Sequence, residues 1–214
     1  MAYGIGLNGH RQLLAVTIGA EESEESWSEL LAQLVERGLS GVQLVIADAH
    51  AGIAKAVRLH LPEAPQQRCV VHLQRNVVGK APQKLRPRLA REVWQVFVAP
   101  TKAEARKRMA QLAAGLGRQL PESMACLEAG FEAATKFYAF PKEHWHRIRS
   151  TNGLERLHGE IKRRTRAVGA FPDRASALRL VTAVALQVTA IWTDRRYLDM
   201  SLLKSKEAVV AKAA

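Results

Sequence analysis

What this chain lacks narrows it first. Its two cysteines, Cys69 and Cys126, offer no disulfide framework and suit a reducing cytosol. The start carries no signal-peptide pattern. The longest apolar stretch, residues 180–192, is interrupted by Thr182, Gln187 and Thr189, so the sequence predicts no membrane span and a cytoplasmic protein. No phosphate-binding glycine loop is present, because Gly4-Ile5-Gly6 lacks a third glycine and leads into a hairpin. No Ser–His–Asp or Cys–His pairing points to nucleophilic catalysis. Acidic residues are also scarce, at 20 Asp and Glu against 32 Lys and Arg.

The resulting net charge of +12 favours a polyanionic partner, most simply nucleic acid. The charge is uneven. Residues 1–50 carry Arg11 and Arg37 against seven carboxylates, a net of −5, and the remainder carries +17. A chain basic throughout would suit a ribosomal or chromatin-like role; this asymmetry predicts a folded domain with one basic face. A length of 214 residues allows a substantial core.

Periodicity predicts a mixed sheet covered by helices, an α/β fold. Two strand-like runs flank Asn8-Gly9, a two-residue hairpin turn signal. An amphipathic helix follows at residues 24–37, with Gly38 as its stop. Residues 42–47, VQLVIA, read as a strand buried on both faces. A helix at 52–61 and a strand at 68–72 complete this part. From residue 76 to 145 the pattern is helical only, with breaks near Pro82, Pro100, Pro121 and Pro141. Helices at 153–168 and 173–195 follow, then an Ala/Lys/Val-rich tail, 204–214, expected to fray. The division is therefore 1–78, a helical insertion at 79–147, 148–203 and the tail.

The most informative stretch is TNGLERLHGEIKRRT, residues 151–165. It sets Glu155 at the start of a helix whose later turns carry Lys162, Arg163, Arg164 and Arg166, with Arg156 beside Glu155. A carboxylate next to a basic strip suits a divalent metal held against a phosphate backbone. Two readings of Glu155 stay open. Asn152 is a good N-cap, and Glu155 three residues on would complete a capping box. Helical spacing instead puts Leu154, Leu157, Ile161 and Val168 on a buried stripe, with Glu155, His158 and Lys162 along its edge. Asp48, directly after VQLVIA, either caps the next helix or faces a site beyond the strand end. The cations are either a solvated helix end or phosphate contacts. Cys69-x-x-His72 is half of a zinc spacing without a second half. His50 is a polar neighbour of Asp48. Trp145 is either a base-stacking surface or core.

Three motifs carry a resemblance to the bacterial Mutator-type insertion-sequence transposases: RGLSGVQLVIADAHAGIAKAV at 37–57, QQRCVVHLQRNV at 66–77 and FPKEHWHRIRSTNGLERLHGEIKRRT at 140–165. The likeness runs from Met1 to Leu203. It implies an RNase H-like core with a helical insertion, and two aspartates and a glutamate binding two ions, Mg²⁺ or Mn²⁺. Asp48 matches the second aspartate and Glu155 the glutamate, with Glu160 a weaker candidate. Cys69 and His72 match an element lying beside the active site and not known to bind zinc; Asn152 belongs to the Glu155 motif. His158 stands where relatives commonly carry Asn. The implied partners are DNA, as transposon ends and target, and a second copy or full-length transposase.

One departure is large. No Asp precedes Asp48, so the family's first catalytic aspartate and the strand that carries it are missing, as is its N-terminal DNA-binding region. The resemblance therefore implies the C-terminal part of a transposase, through fragmentation, a late start or decay. Two functions follow as expectations: a transposase cleaving and joining DNA, or an inactive DNA- or transposase-binding regulator.

Overall fold

A computed structural model describes residues 1–18 and 23–203. The expected tail, 204–214, and Glu21 and Glu22 lie outside the described residues. Strands β1 (Ala2–Ile5) and β2 (Arg11–Ala15) pair antiparallel, with Tyr3 opposite Leu13 and Ile5 opposite Arg11. Their turn is longer than Asn-Gly predicts. Gly6 N–H bonds to the His10 carbonyl at 3.0 Å and Gly9 N–H to the Gly6 carbonyl at 2.8 Å. Only Gly9 takes positive φ, +80°. A two-residue turn of the expected type needs positive φ at both central positions, and Asn8 does not supply it. The Asn8 side chain instead accepts the His10 N–H at 3.0 Å.

Helix α1 (Glu24–Glu36) starts at a reciprocal cap between Ser23 and Ser26 and buries Leu30 and Leu34. It packs on α2 (Ala51–His60), the crossover between β3 (Val45–Ala47) and β4 (Gln66–Arg68), which pair parallel. The expected single mixed sheet is instead two separate two-stranded sheets among the described residues. Ile5, Leu44 and Ile46 meet the core through side chains, not through a shared ladder. The strand expected at 42–47 shortens to three residues, of which only Ala47 is buried.

Every element from α3 (Val70–Gly79) to α7 (Trp145–Ile148) is helical. Helices α4 (Arg86–Phe97), α5 (Lys102–Leu116) and α6 (Pro121–Ala134) enclose the larger core, where Leu73, Val93, Phe97, Leu127, Phe131 and Phe137 are almost wholly buried. A second cluster joins α8 (Asn152–Thr165), α9 (Arg174–Thr189) and the hairpin through Leu157, Ile161, Ala185 and Trp192. Val168, assigned to the buried stripe from sequence, is 43% exposed, because a 3₁₀ turn over Arg166–Val168 breaks the α-helical period. The helical stretch Arg174–Thr193 spans 20 residues with mean hydropathy 1.5 over its most apolar part, reaching by length and composition the size of a membrane span. The sequence reading of no such segment is thereby corrected, since the polar breaks leave the helix continuous. It packs against α8 and β2.

Gln67 is the buried polar tie between β4 and the helices. Its amide nitrogen donates to the Ala134 carbonyl at 2.8 Å and the Arg68 carbonyl at 2.6 Å, while its oxygen accepts the Phe137 N–H at 2.9 Å. Gln67→Leu strands those backbone groups, and each costs about 1–3 kcal/mol when buried without a partner. Urea unfolding of the variant is expected to show a clearly lower midpoint; an unchanged midpoint would mean that the tie carries no stability.

Candidate functional site

Cys69 joins three of the segments singled out from sequence. The segment 68–72 was expected to be a strand, but the strand ends at Arg68 and Cys69 is the N-cap of α3. The helix prevails because Val70, Leu73 and Val77 recur at helical spacing and all three are fully buried. Cys69 N–H donates to the Ala47 carbonyl at 2.7 Å, extending the β3–β4 contact by one bond. Its sulfur accepts from Thr151 twice, from the backbone N–H at 3.3 Å and the hydroxyl at 3.2 Å. Val70 N–H bonds to the Arg149 carbonyl at 3.0 Å. One buried residue thus ties the end of β3, through its backbone, to the start of α8, through its sulfur.

That tie orients Glu155. The N-cap of α8 is Thr151, and Asn152 lies inside the helix with no capping bond. The capping-box reading therefore gives way. The Glu155 carboxylate turns instead to α3, with Oε1 3.4 Å from His72 Nε2 and Oε2 3.4 Å from Arg75 Nη2. Thr151 Oγ1 stands 3.4 Å from His72 Nδ1, so the imidazole sits between Thr151 and Glu155. Although Oε1 is within ion-pair distance of His72, it is buried and makes no hydrogen bond of good geometry. A buried carboxylate oxygen without such a bond is an acceptor left underused.

Asp48 follows Ala47 directly. Its Oδ1 accepts the His50 N–H at 3.3 Å, an Asx turn leading into α2. The N-cap of α2 is His50, without a side-chain capping bond, so Asp48 is a turn former one residue ahead of the cap. His50 Nδ1 is buried without a partner. Asp48 and Glu155 offer the hard oxygen donors that Mg²⁺ or Mn²⁺ takes, and the underused Glu155 oxygen fits such a role. Among the described residues no group of three His, Cys, Asp or Glu side chains stands close enough to hold a metal ion.

The basic end of α8 is exposed at Lys162, Arg163, Arg164 and Arg166. Arg163 bonds Glu160 at 2.8 Å. Arg164 lies 3.6 Å from the same carboxylate and donates to Gln187 at 2.7 Å. The Arg163 hydrogen bond, helped by Arg164, holds the Glu160 carboxyl below its usual range. Glu160 is thus committed to arginines. Trp145 donates its indole N–H to the Phe140 carbonyl at 2.8 Å and packs edge-on to Phe137 and Tyr138, an anchoring role in the core.

A family model described as "Transposase, Mutator family" matches residues 1–194. The chain belongs to the Mutator family of transposases. It is 37% identical to the transposase for insertion sequence element ISRM5 of Rhizobium meliloti (strain 1021), over 100% of this chain and 54% of that protein. The transposase for IS406 of Burkholderia multivorans is 36% identical, over 94% of this chain and 52% of its own length. That for IS1081 of Mycobacterium tuberculosis is 35% identical, over 98% and 51%. The chain spans about half the length of these curated relatives.

Sequence reasoning missed a second basic site in this Mutator-family chain. Arg11, Arg147 and Arg156 line one cavity of about 340 Å³ with Asn152, Trp192 and Tyr197. Asn152 and Arg156 therefore face this cavity, one helical turn apart, while Glu155 faces α3. The Arg11 guanidinium lies 4.2 Å from the Trp192 ring centre and 4.5 Å from that of Tyr197; Arg147 lies 4.5 Å from Tyr197. Tyr197 is held by the hairpin turn, where the Gly9 carbonyl accepts the Tyr197 N–H at 2.7 Å. A Cβ at Gly9 would fall 2.1 Å from the Leu198 carbonyl oxygen, so this approach requires glycine. Residues 11, 147, 156 and 197 share no sequence pattern.

Cys69→Ala is expected to lower stability by about 1–3 kcal/mol, because Thr151 loses the acceptor for two donors near α8. Cys69→Ser, which keeps an acceptor, is expected to lose less. Chemical denaturation of both variants decides; equal losses would assign the effect to cavity volume alone.

Proposed function

We propose that this chain is the catalytic-core region of an insertion-sequence transposase. It binds DNA along the basic side of α8 and contributes Asp48 and Glu155 to a divalent-metal site. The junction at Cys69 carries this reading. It links the carboxyl end of β3, just before Asp48, to the first turn of α8, where Glu155 turns its carboxylate toward α3. The family resemblance assigns catalytic roles to those same two carboxylates. An RNase H-like core is supported by the parallel β3–β4 pair crossing over through α2, and a helical insertion at 79–147 by the unbroken run of helices. The relatives act as transposases by name, so the substrate proposed is DNA, as transposon ends and target. The compartment is the bacterial cytoplasm, and a second copy or a longer transposase is the protein partner.

Two divalent ions, when bound, activate a water or 3′-hydroxyl and stabilise the leaving oxygen of an in-line phosphodiester displacement. The protein's own part is positional. His72 and Arg75 hold the Glu155 carboxylate, and the Asx turn holds Asp48. Lys162 and Arg166, exposed and without an ion pair among the described residues, are free to meet phosphates. Arg163 and Arg164 would first have to leave Glu160. A second reading, a DNA- or transposase-binding regulator without cleavage, is favoured by the lack of a third metal-binding side chain among the described residues.

Two measurements test these readings. Binding to duplex DNA is expected to weaken steeply with salt, and Lys162→Ala with Arg166→Ala to flatten the log–log salt slope by about two. DNA affinity indifferent to salt would remove the basic-strip assignment. In Mn²⁺ titrations followed by electron paramagnetic resonance, Asp48→Ala or Glu155→Ala is expected to abolish the tightest site. Binding unaltered in both variants would remove the metal assignment. This chain alone is expected not to cut DNA with Mg²⁺ or Mn²⁺; cleavage lost on Asp48→Ala would rule out the regulator reading.

A further inference from the structure

We infer that the cavity between the hairpin, α7 and α8 is a phosphate site, formed by Arg11, Arg147 and Arg156 and seating a phosphodiester of DNA. The choice of DNA as the source rests on the function proposed above; the phosphate chemistry rests on the cavity itself.

Three guanidinium groups line this space from three elements: Arg147 on α7 and Arg156 on α8, which are neighbours in the chain, and Arg11 on the distant β2. None forms an ion pair with a carboxylate among the described residues. The carboxylate in the lining, Glu160, is already bound to Arg163 and Arg164. Tyr3, on the neighbouring strand, offers no negative charge, because burial and then Tyr197 push its hydroxyl up to about 12. His146 in the lining is held below its usual range by burial and by Arg147, so near neutrality it adds little positive charge. The cavity therefore sets three guanidinium groups against one carboxylate, and that carboxylate is already paired with Arg163 and Arg164.

Such an arrangement is unfavourable unless something offsets it. The rings of Trp192 and Tyr197 recover part of the cost, since a guanidinium over an aromatic face gains about 0.5–2 kcal/mol. They do not satisfy donors. Arg11 Nε is buried and makes no hydrogen bond. Burial is the main cause that lowers the Arg11 pKa; Tyr197 and Tyr3 offset part of it, while the like charges of Arg147 and Arg156 add smaller lowering contributions. A tetrahedral phosphate matches both deficits: it supplies the missing charge and enough oxygens to accept from planar, forked donors. At about 340 Å³ the space is large enough for a phosphate group. Arg147 and Arg156 are exposed, so the mouth is accessible to a duplex. Asn152 in the same lining offers one more donor.

Arg156 stands about 100° around α8 from Glu155, so the site adjoins the face that makes the Glu155–His72 contact. A strand seated there would run past the first turn of the helix whose neighbouring face carries the proposed metal ligand. The inference therefore adds a second anchoring point to the basic strip at the far end of α8.

The test uses the whole 214-residue chain with Arg147→Gln, Arg156→Gln and the double variant. Both arginines are exposed, whereas Arg11→Gln disturbs the aromatic stack and risks unfolding. Far-UV circular dichroism melts check folding. Fluorescence anisotropy with a labelled duplex is expected to show the double variant binding about tenfold or more weakly, with the log–log salt slope flatter by about two. A separate arm adds inorganic phosphate against chloride at matched ionic strength. It is expected to raise the melting temperature of the parent chain and not of the double variant.

Loss of DNA affinity identifies the DNA backbone as the source. Unchanged DNA affinity with loss of the phosphate effect supports the site and identifies free phosphate as the source. If neither changes in a folded double variant, the phosphate site is overturned, while DNA binding by the parent chain still supports the proposed function. If the parent chain binds no DNA, that function fails, and the phosphate arm alone decides the site.

Discussion

The contact on which the site depends is the bond from Cys69 N–H to the Ala47 carbonyl, made by a residue whose sulfur also accepts from Thr151. The β3–β4 pair is only three residues a side, so each further bond matters to where the strand ends point. A soft, fully buried sulfur serves as acceptor for a helix cap, and so no water is needed at this junction. Through it the carboxyl end of a strand and the amino end of a helix become one rigid corner. His72, one turn along α3 from Cys69, then meets Glu155, one turn along α8 from Thr151. Two helices leaving a common corner necessarily bring such residues together.

Charge is organised around the same helix. One face of α8 gives Glu155 to Arg75 and the His72 ring on α3, another gives Arg156 to a cavity rich in arginine, and its last turns carry the exposed strip. Glu160 separates the cavity from the strip by neutralising Arg163 and Arg164. The +12 net charge is therefore no uniform coating. It is divided into paired cations that stabilise the fold and unpaired ones left facing outward.

Much of this was legible locally. Helical spacing located α1, α2 and α8 and the start of α9 to within a few residues, because an amphipathic stripe repeats every turn and chain breakers mark its ends; α9 itself stops at Thr189, where a 3₁₀ turn takes over, short of the expected 195. Asp48 and Glu155 stood out because each follows a strong element boundary. The strand expected at 68–72 failed for a physical reason. Val-Val reads as β-branched strand, yet its burial together with Leu73 and Val77 on one face outweighs local preference. The hairpin turn failed similarly, since Asn tolerates positive φ without requiring it, and the chain closed through Gly9 alone.

Sequence alone determined the family, the helical character of the middle, the two candidate carboxylates and the basic end of α8, because these depend on periodicity and on motifs contiguous in the chain. Tertiary structure decided the rest. It released Glu155 from a capping role, bound Glu160 to arginines, turned Trp145 inward and assembled Arg11, Arg147 and Arg156 around one cavity. Those outcomes depend on residues up to 145 positions apart meeting across packed helices, as Arg11 and Arg156 do. Side-chain partners at that separation are set by the angles at which elements pack, and no local pattern encodes them.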